Sequence, residues 1–254
     1  MGKKYKTEKD PKTGLLRIIA LKDFADVKKG DKGGLIEKEE NLSQEGDCWV
    51  YEDAVICENA YVFGSAIVSA YAKVSGDARV YGKAKLYDSA RVFDCAEVYE
   101  NADVGGCTQI YGEAKVYGNA RISDYAWISG NAVVYGDVRI YGGAKISGDV
   151  VISDNAKVWG NAKVYGKEVL VGGNVGISGN DVVCWAASTR ACCSNVSIKD
   201  SKNYVILATR NKRFRIFSSN IKDKYAKSMK NVDITGLDYI KNIQTIRQIY
   251  GEEV

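Results

Sequence analysis

The sequence of 254 residues contains no histidine and a single proline, Pro11. The absence of histidine excludes catalytic triads with an imidazole base, histidine-ligated zinc sites and the commonest general base near neutral pH. No apolar run approaches the roughly eighteen residues that a membrane span needs. Residues 1–10 are a lysine-rich polar arm without the apolar core of a secretion signal. We therefore expect no contact with a membrane.

The seven cysteines are an odd number, include the adjacent pair Cys192 and Cys193, and show no CxxC spacing. This pattern argues against a disulfide framework and against a zinc ribbon. We therefore expect a protein of the reducing cytoplasm that uses neither a metal nor a cofactor.

The main feature of the sequence is a repeat of six residues. From Cys48 to Lys167 the chain divides into twenty units without an insertion or deletion. The third position is aliphatic in all twenty units, the first is alanine in sixteen, and the fifth is glycine in twelve. A period of six contradicts an α-helix, whose apolar positions recur every three or four residues.

Within one unit, positions one and three alternate with positions two and four, as in a short strand. Glycine, Asp and Asn at positions five and six tolerate the backbone angles of a corner. Three such sides close a triangular coil of eighteen residues, and successive coils pair as parallel strands. We predict an all-β solenoid: an N-terminal arm and cap over residues 1–47, a parallel β-helix over 48–180, and a small α+β module over 181–254.

Units such as AKVYGNA and ARVYGKA resemble the hexapeptide-repeat family. The stretch from Leu15 to Val50 resembles the leader of a largely uncharacterised, acyltransferase-like branch that occurs in bacterial and phage genomes. The resemblance implies a left-handed parallel β-helix and a homotrimer. It also implies that acyl transfer would need a histidine base and an extruded loop. This chain has neither, so we predict no catalytic residues, and an enzyme is not favoured.

The segments outside the repeat are expected to cover its open ends. The N-terminal cap is predicted to hold a strand, Leu15 to Leu21, and a glycine-rich turn through Gly30, Gly33 and Gly34. After Lys167 the register slips by one residue around Val169 to Asn174. The module is predicted to contain strands over 181–187, 204–209 and 213–217, the last two as a hairpin. Two helices should follow, over 221–230 and up to Gly251.

Positive charge concentrates after residue 167, where 13 basic and 8 acidic side chains occur. The chain-wide charge of +4 is too small to indicate general nucleic-acid binding. A local site for a small anionic ligand is one interpretation, and an ordinary soluble strand edge is the other. The candidate ligand-binding residues are Ser188, Thr189, Arg190, Arg210, Lys212, Arg213 and Arg215.

One outward column of the repeat is aromatic. Every eighteenth residue from position 63 to position 135 carries a ring, and two basic residues lie beside these rings at the second positions. This column has three interpretations: a surface buried between subunits, intramolecular stacking, or the lining of a ligand site. The residues concerned are Phe63, Tyr81, Tyr99, Tyr117 and Tyr135, with Arg79 and Lys115.

Three functions are consistent with these features. The first is a non-enzymatic oligomeric binding protein. In its most concrete version this is a phage counter-defence protein, active in the host cytoplasm, that sequesters a nucleotide-type anion or blocks a host immune protein. The second is an acyltransferase-like enzyme with an atypical base, for which a Glu, Asp or Cys would replace histidine. The third is a structural trimer or rigid spacer.

Overall fold

The computed structural model describes residues 2–180, 182–186, 189–194, 204–208, 213–218 and 232–233 of the chain. The chain divides into two compact units, Met1–Gly130 and Asn131–Val254. In each unit short parallel strands wind into a β-solenoid. The helical content of the described residues is a single 3₁₀ turn, Glu39–Asn41. The prediction of an all-β parallel solenoid is therefore confirmed, whereas its left-handed sense stays a prediction.

Three longer strands open the first unit, β1 (Tyr5–Lys9), β2 (Leu16–Ala20) and β3 (Lys32–Ile36). The rest of the unit consists of two-residue strands, one per side of the coil. They are β4 (Trp49–Val50), β5 (Val55–Ile56), β6 (Tyr61–Val62), β7 (Ile67–Val68), β8 (Lys73–Val74), β9 (Arg79–Val80), β10 (Lys85–Leu86), β11 (Arg91–Val92), β12 (Glu97–Val98), β13 (Asp103–Val104), β14 (Gln109–Ile110), β15 (Lys115–Val116), β16 (Arg121–Ile122) and β17 (Trp127–Ile128).

The coil of the first unit repeats every eighteen residues, as predicted. Val50 pairs in parallel with Val68, and Leu86 with Val104. The first and third positions of each six-residue unit point inward, so that Ala84 and Leu86, for example, are fully buried. Each buried aliphatic side chain contributes on the order of 1.5–3 kcal/mol before conformational entropy is counted.

The corners of the coil need a left-handed backbone. In the first compact unit, the fifth residue of each six-residue repeat has a φ angle between 56° and 72°. Glycine adopts this conformation without a steric penalty. Half of these corners nevertheless carry a side chain, which is acidic at every one of them except Ala70. The acidic side chains have a structural role, since Glu58, for example, accepts a hydrogen bond from the backbone N–H of Gly76 over 2.7 Å.

The coil has a polarity that explains the N-terminal cap. Backbone N–H groups donate to carbonyl groups of the following coil, as Trp49 does to Ala66 over 3.1 Å. The first coil therefore presents carbonyl oxygens at its outer edge, and these need donors. The cap supplies them partly from its backbone, as Leu35 does to Ala54 over 2.9 Å, and partly from side chains. The Tyr5 hydroxyl donates to the Leu42 carbonyl over 2.7 Å, and Arg17 donates to the Glu52 carbonyl over 3.1 Å.

The polar arm contains a strand that the sequence did not predict, since β1 pairs antiparallel with β2 over five residues. One detail of the predicted cap is wrong. The glycine-rich turn is present at Gly30, with a φ of 97°, but Gly33 and Gly34 are buried inside β3. A Cβ atom at Gly33 would lie 2.5 Å from the carbonyl oxygen of Val50, so close packing, and not a turn, requires glycine there.

The second unit is built from the same kind of coil. Its strands are β18 (Val133–Val134), β19 (Arg139–Ile140), β20 (Lys145–Ile152), β21 (Lys157–Val158), β22 (Lys163–Gly172), β23 (Gly176–Ile177), β24 (Val182–Ala186), β25 (Thr189–Ser194), β26 (Tyr204–Ala208), β27 (Arg213–Ser218) and β28 (Val232–Asp233). The predicted slip of one residue is confirmed: Ile146 pairs with Val164, eighteen residues later, whereas Val150 pairs with Val169, nineteen residues later.

The final strands of the second unit add antiparallel pairings, although β24 still pairs in parallel with the first half of β22. Strand β24 pairs with β25, β26 pairs with the second half of β22 and with β27, and β27 pairs with β28. The hairpin predicted over 204–209 and 213–217 corresponds to β26 and β27. The two helices predicted for 221–230 and for the chain up to Gly251 lie outside the described residues, so the α+β module stays a prediction.

Candidate functional site

The aromatic column of the first unit is a continuous stack of rings. The ring centroids of Phe63 and Tyr81 are 4.7 Å apart, those of Tyr81 and Tyr99 are 4.8 Å apart, and those of Tyr99 and Tyr117 are 4.7 Å apart. The angles between neighbouring ring planes are 8° or less. These distances match the spacing of strands in a sheet, so the parallel register itself brings the rings face to face.

A fifth ring extends this surface. Tyr61 lies at the second position of the same six-residue repeat as Phe63. It stacks on Phe63 with a centroid distance of 4.9 Å and an angle of 19° between the ring planes. Sequence reasoning missed this residue because it considered aromatic side chains at the fourth positions and basic side chains at the second positions. We define the aromatic face by the rings of residues 61, 63, 81, 99 and 117. Tyr135 belongs to the second unit, where it is half-buried.

A column of charged residues runs beside the rings at the second positions. Glu97 is in register with Arg79 in the preceding coil and with Lys115 in the following one. The carboxylate of Glu97 lies 3.2 Å from the ammonium group of Lys115 and accepts a hydrogen bond from the Tyr81 hydroxyl over 3.0 Å. Glu97 was not among the predicted site residues. The signal for it was the alternation of charge at positions 79, 97 and 115.

The hydroxyls of Tyr81 and Tyr99 are held in their neutral form. Burial, and then the hydrogen bond to the negatively charged Glu97, raise the pKa of Tyr81 to about 12. Burial also raises the pKa of Tyr99, and the neighbouring Tyr117 and Tyr81 add to this shift. At neutral pH the rings of Tyr81 and Tyr99 are therefore uncharged. The charged side chains at the second positions lie along one margin of the stack.

The other faces of the first unit carry shorter stacks. Phe93 and Tyr111 stack with a centroid distance of 4.9 Å and an angle of 2°, but serines occupy the fourth positions of the coils on either side. On the third face Tyr87 covers Gly105, where an added Cβ atom would lie 2.2 Å from the ring. Within the described part of this unit, the aromatic face is therefore the one face on which rings at four successive fourth positions stack without interruption.

The basic candidates of the C-terminal region lie on different strands or outside the described residues. Thr189 and Arg190 are in β25, and Arg213 and Arg215 are in β27. Among the strand pairings of the described residues, β25 and β27 are not partners. Ser188, Arg210 and Lys212 lie outside the described residues. The anionic-ligand site therefore stays a prediction.

Four cysteines with described side chains are free thiols. Cys95 and Cys107 are exposed corner residues, Cys57 is half-buried and Cys48 is buried. Burial raises the pKa of the Cys57 thiol, which makes it a weaker nucleophile at neutral pH. Across the described residues, no group of three or more Cys, Asp or Glu is placed to hold a metal ion. No helix among them is both long and apolar enough to span a membrane.

Comparison with known proteins gives a partial match. No protein-family model matches the chain. Over 53 residues the chain is 47% identical to the uncharacterized acetyltransferase YdcK of Escherichia coli (strain K12). This match covers 20% of the chain and 16% of YdcK. The match and the β-solenoid both fit a hexapeptide-repeat family.

Proposed function

We propose that the protein is a non-catalytic, self-associating β-solenoid whose copies pack against one another through the aromatic face. The uninterrupted stack of rings, bordered by charge on one side, carries this proposal. Tyrosine and phenylalanine give large contact areas at a low cost in side-chain entropy, which is why aromatic residues are enriched at the cores of protein interfaces.

Stacking within one chain explains part of this pattern but not its restriction to one face. Parallel coils would stack rings equally well on all three sides, because the strand spacing is the same on each. Serine and glycine interrupt the other two columns, at Ser75, Ser69 and Gly105 for example. Selection for chain stability alone gives no reason for this difference, whereas a contact surface on one side does.

The charges beside the rings would orient the partner. Glu97 is bound by Tyr81 and Lys115, whereas Arg79 is exposed and makes no ion pair among the described residues. An exposed cation at the margin favours a partner surface that presents a carboxylate there. Such rim charges mainly change the association rate and its dependence on salt. The homotrimer implied by the family resemblance is the assembly that we propose.

Sedimentation equilibrium tests this proposal with two matched variants. Tyr99→Glu places a charge in the middle of the aromatic face, and Tyr111→Glu places the same charge in the stacked pair of another face. We expect the wild type and Tyr111→Glu to be oligomeric and Tyr99→Glu to be monomeric, with unchanged far-ultraviolet circular dichroism. Tyr99→Phe, which keeps the ring, should remain oligomeric. A monomeric wild type, or equal dissociation of both Glu variants, would contradict the proposal.

The ligand or partner of the assembly is a separate step. We propose that it is a small anion of the nucleotide type or a host protein, as a phage counter-defence role would require. The support is the excess of positive charge after residue 167. Calorimetric titration of the purified oligomer with nucleotides tests the anion. Binding no tighter than about 10⁻⁴ M, the range of non-specific contacts, would reject a nucleotide ligand.

Acyl transfer is the second candidate function, and the partial match to YdcK favours it. The chain lacks histidine, so a carboxylate or a thiol would have to accept the proton of the attacking group. Release of free coenzyme A from acetyl-coenzyme A by the purified oligomer, in the presence of amine and hydroxyl acceptors, tests this function. Turnover that disappears on replacement of one acidic residue or cysteine would establish it and would displace the non-catalytic proposal.

A further inference from the structure

The side chain of Lys4 is buried at the N-terminal edge of the solenoid, with an exposure of only 1%. Its ammonium group donates to the backbone carbonyls of Cys48 over 2.9 Å and of Glu45 and Gly46 over 3.3 Å. The ring of Phe24 lies 5.3 Å from the nitrogen. Lys4 is therefore part of the set of donors that satisfies the free carbonyl edge of the first coil.

The fourth acceptor of this ammonium group is a thiol. The Sγ atom of Cys48 lies 3.2 Å from Nζ of Lys4. Among the described residues, Lys4 forms no ion pair with a carboxylate, so Cys48 is the titratable group in direct contact with the buried charge. The other oxygens near the sulfur are the backbone carbonyls of Ser43, Glu45 and Val62, at 3.7 to 3.8 Å.

This environment both restrains and directs the reactivity of Cys48. Burial raises the pKa of the Cys48 thiol, while the adjacent Lys4 charge opposes that rise. The thiol is therefore mostly protonated at neutral pH, and the thiolate that does form has a cation beside it. The loop over Glu45, Gly46 and Asp47 is exposed, so a small oxidant has one layer of chain to pass.

We propose that Lys4 and Cys48 form a reversible covalent cross-link when the protein meets a peroxide. In the first step the thiolate sulfur attacks one peroxide oxygen, the O–O bond breaks, and Cys48 becomes a sulfenic acid with release of one water. In the second step Nζ of Lys4, after losing its ammonium proton to solvent, attacks the oxidised sulfur. An S–N bond forms, the S–O bond breaks, and the hydroxyl group leaves as a second water.

The stoichiometry is one thiol, one amine and one peroxide, giving one sulfenamide and two waters. Sulfur is oxidised by two electrons, and the peroxide is reduced by two. A second peroxide inserts an oxygen into the S–N bond with release of a further water. Two equivalents of thiol reductant convert the sulfenamide back to free Lys4 and Cys48. The oxygen-bridged form needs more equivalents of the reductant.

The cross-link would tie β1 to the first coil. Lys4 immediately precedes β1, and Cys48 lies 44 residues later, immediately before β4. Closing a loop of this length restricts the unfolded chain more than the folded one. The cap of the solenoid would therefore be more stable under oxidising conditions, and the thermal midpoint should rise by on the order of 10 °C.

Mass spectrometry of the full-length protein tests the proposal. Reduced protein is treated with one or with two molar equivalents of hydrogen peroxide, digested with a protease that cleaves after Glu, and analysed before and after dithiothreitol. We expect one peptide pair joined through Lys4 and Cys48. Its mass should be about 2 Da below the sum of the two free peptides, or about 14 Da above it for the oxygen-bridged form, and reductant should abolish it.

The neighbouring lysine provides the matched control. Lys3→Arg, which changes an exposed side chain, should leave the cross-link intact, whereas Lys4→Arg keeps the charge and the donors but should abolish it. The measurement on the wild type decides the question even if Lys4→Arg does not fold. The proposal is overturned if Cys48 gains oxygen without joining Lys4. It is equally overturned if Cys95 and Cys107 oxidise while Cys48 does not, or if the cross-link persists in Lys4→Arg.

Discussion

The carboxylate of Asp88 accepts a hydrogen bond from the backbone N–H of Gly106, at 2.9 Å and eighteen residues further along the chain. The same relationship joins Asp94 to Gly112 and Glu100 to Gly118, each at 3.0 Å. In each of these pairs an acidic residue in a left-handed corner is followed one coil later by a glycine corner. The acid satisfies an amide that the strand ladder leaves open.

Asp88→Ala should therefore destabilise the first unit by about 1 kcal/mol, because the Gly106 amide loses its acceptor. Asp88→Asn keeps an acceptor oxygen and a residue that tolerates the left-handed region, so it should cost less than half as much. Urea unfolding followed by circular dichroism measures both. Equal losses for the two variants would mean that the hydrogen bond does not carry the effect.

Ala70 is the corner of the first unit that combines a positive φ, 56°, with a non-polar side chain. Ala70→Gly should raise the free energy of unfolding by about 1 kcal/mol, since it relieves the left-handed penalty of an L-residue. The nearby control is Ala72→Gly, which removes a buried methyl group from the core and should lower stability by a similar amount. A loss of stability in Ala70→Gly would contradict the corner assignment.

Ionisation of the Tyr81 phenol should make the free energy of unfolding depend on pH in the alkaline range. Its pKa of about 12 lies above the ordinary value near 10. The folded state therefore holds this proton more tightly than the unfolded state does. The resulting stabilisation is fully present below pH about 10 and is lost as the pH rises through about 12.

Titration of tyrosinate absorbance in the wild type, minus that of Tyr81→Phe, isolates this group. Glu97→Gln should lower the pKa of Tyr81 while leaving it above its ordinary value, because burial is the larger cause. Glu113→Gln, at an exposed corner of another column, is the control and should leave the pKa unchanged. A Tyr81 pKa that does not respond to Glu97→Gln would contradict the hydrogen bond between the two side chains.

The hydroxyl of Tyr5 donates to two backbone carbonyls, that of Leu42 at 2.7 Å and that of Glu39 at 3.1 Å, and the Glu39 carbonyl also accepts the backbone N–H of Leu42. Tyr5→Phe leaves the buried Leu42 carbonyl without this donor and should cost about 1–3 kcal/mol of stability. Tyr71→Phe is the control, because Tyr71 is 72% exposed and should unfold like the wild type. Thermal unfolding measures both variants, and an unchanged midpoint for Tyr5→Phe would count against the side-chain cap.

The repeat was predictable from the sequence because each of its positions has one steric requirement. Val50 or Leu86 can only be an inward aliphatic, and Gly106 can only be a corner, so the period, register and core follow directly. The slip near Val169 was equally visible, since one extra residue breaks a strict count. Patterns of this kind depend on neighbours that are a fixed number of residues away.

The cap was harder to predict because its contacts depend on no period. In the sequence Lys4 is one lysine of a polar arm. Nothing there indicates that its ammonium group donates hydrogen bonds to carbonyls more than forty residues away. The sequence places Gly33 in a turn, and the need for glycine in a packed strand is clear only once the neighbouring residues are placed around it. Of the candidate site, the ring column was predictable from the register, whereas Tyr61 and Glu97 were missed because their column alternates in chemistry.

Hydroxyl-radical footprinting over a range of protein concentrations tests the proposed packing through the aromatic face most directly. We predict that labelling of Tyr81, Tyr99 and Tyr117 falls as the concentration rises, whereas labelling of Tyr125, which is 67% exposed, stays constant. Labelling of the three tyrosines that does not change with concentration, or that changes in parallel with Tyr125, would contradict an interface on this face.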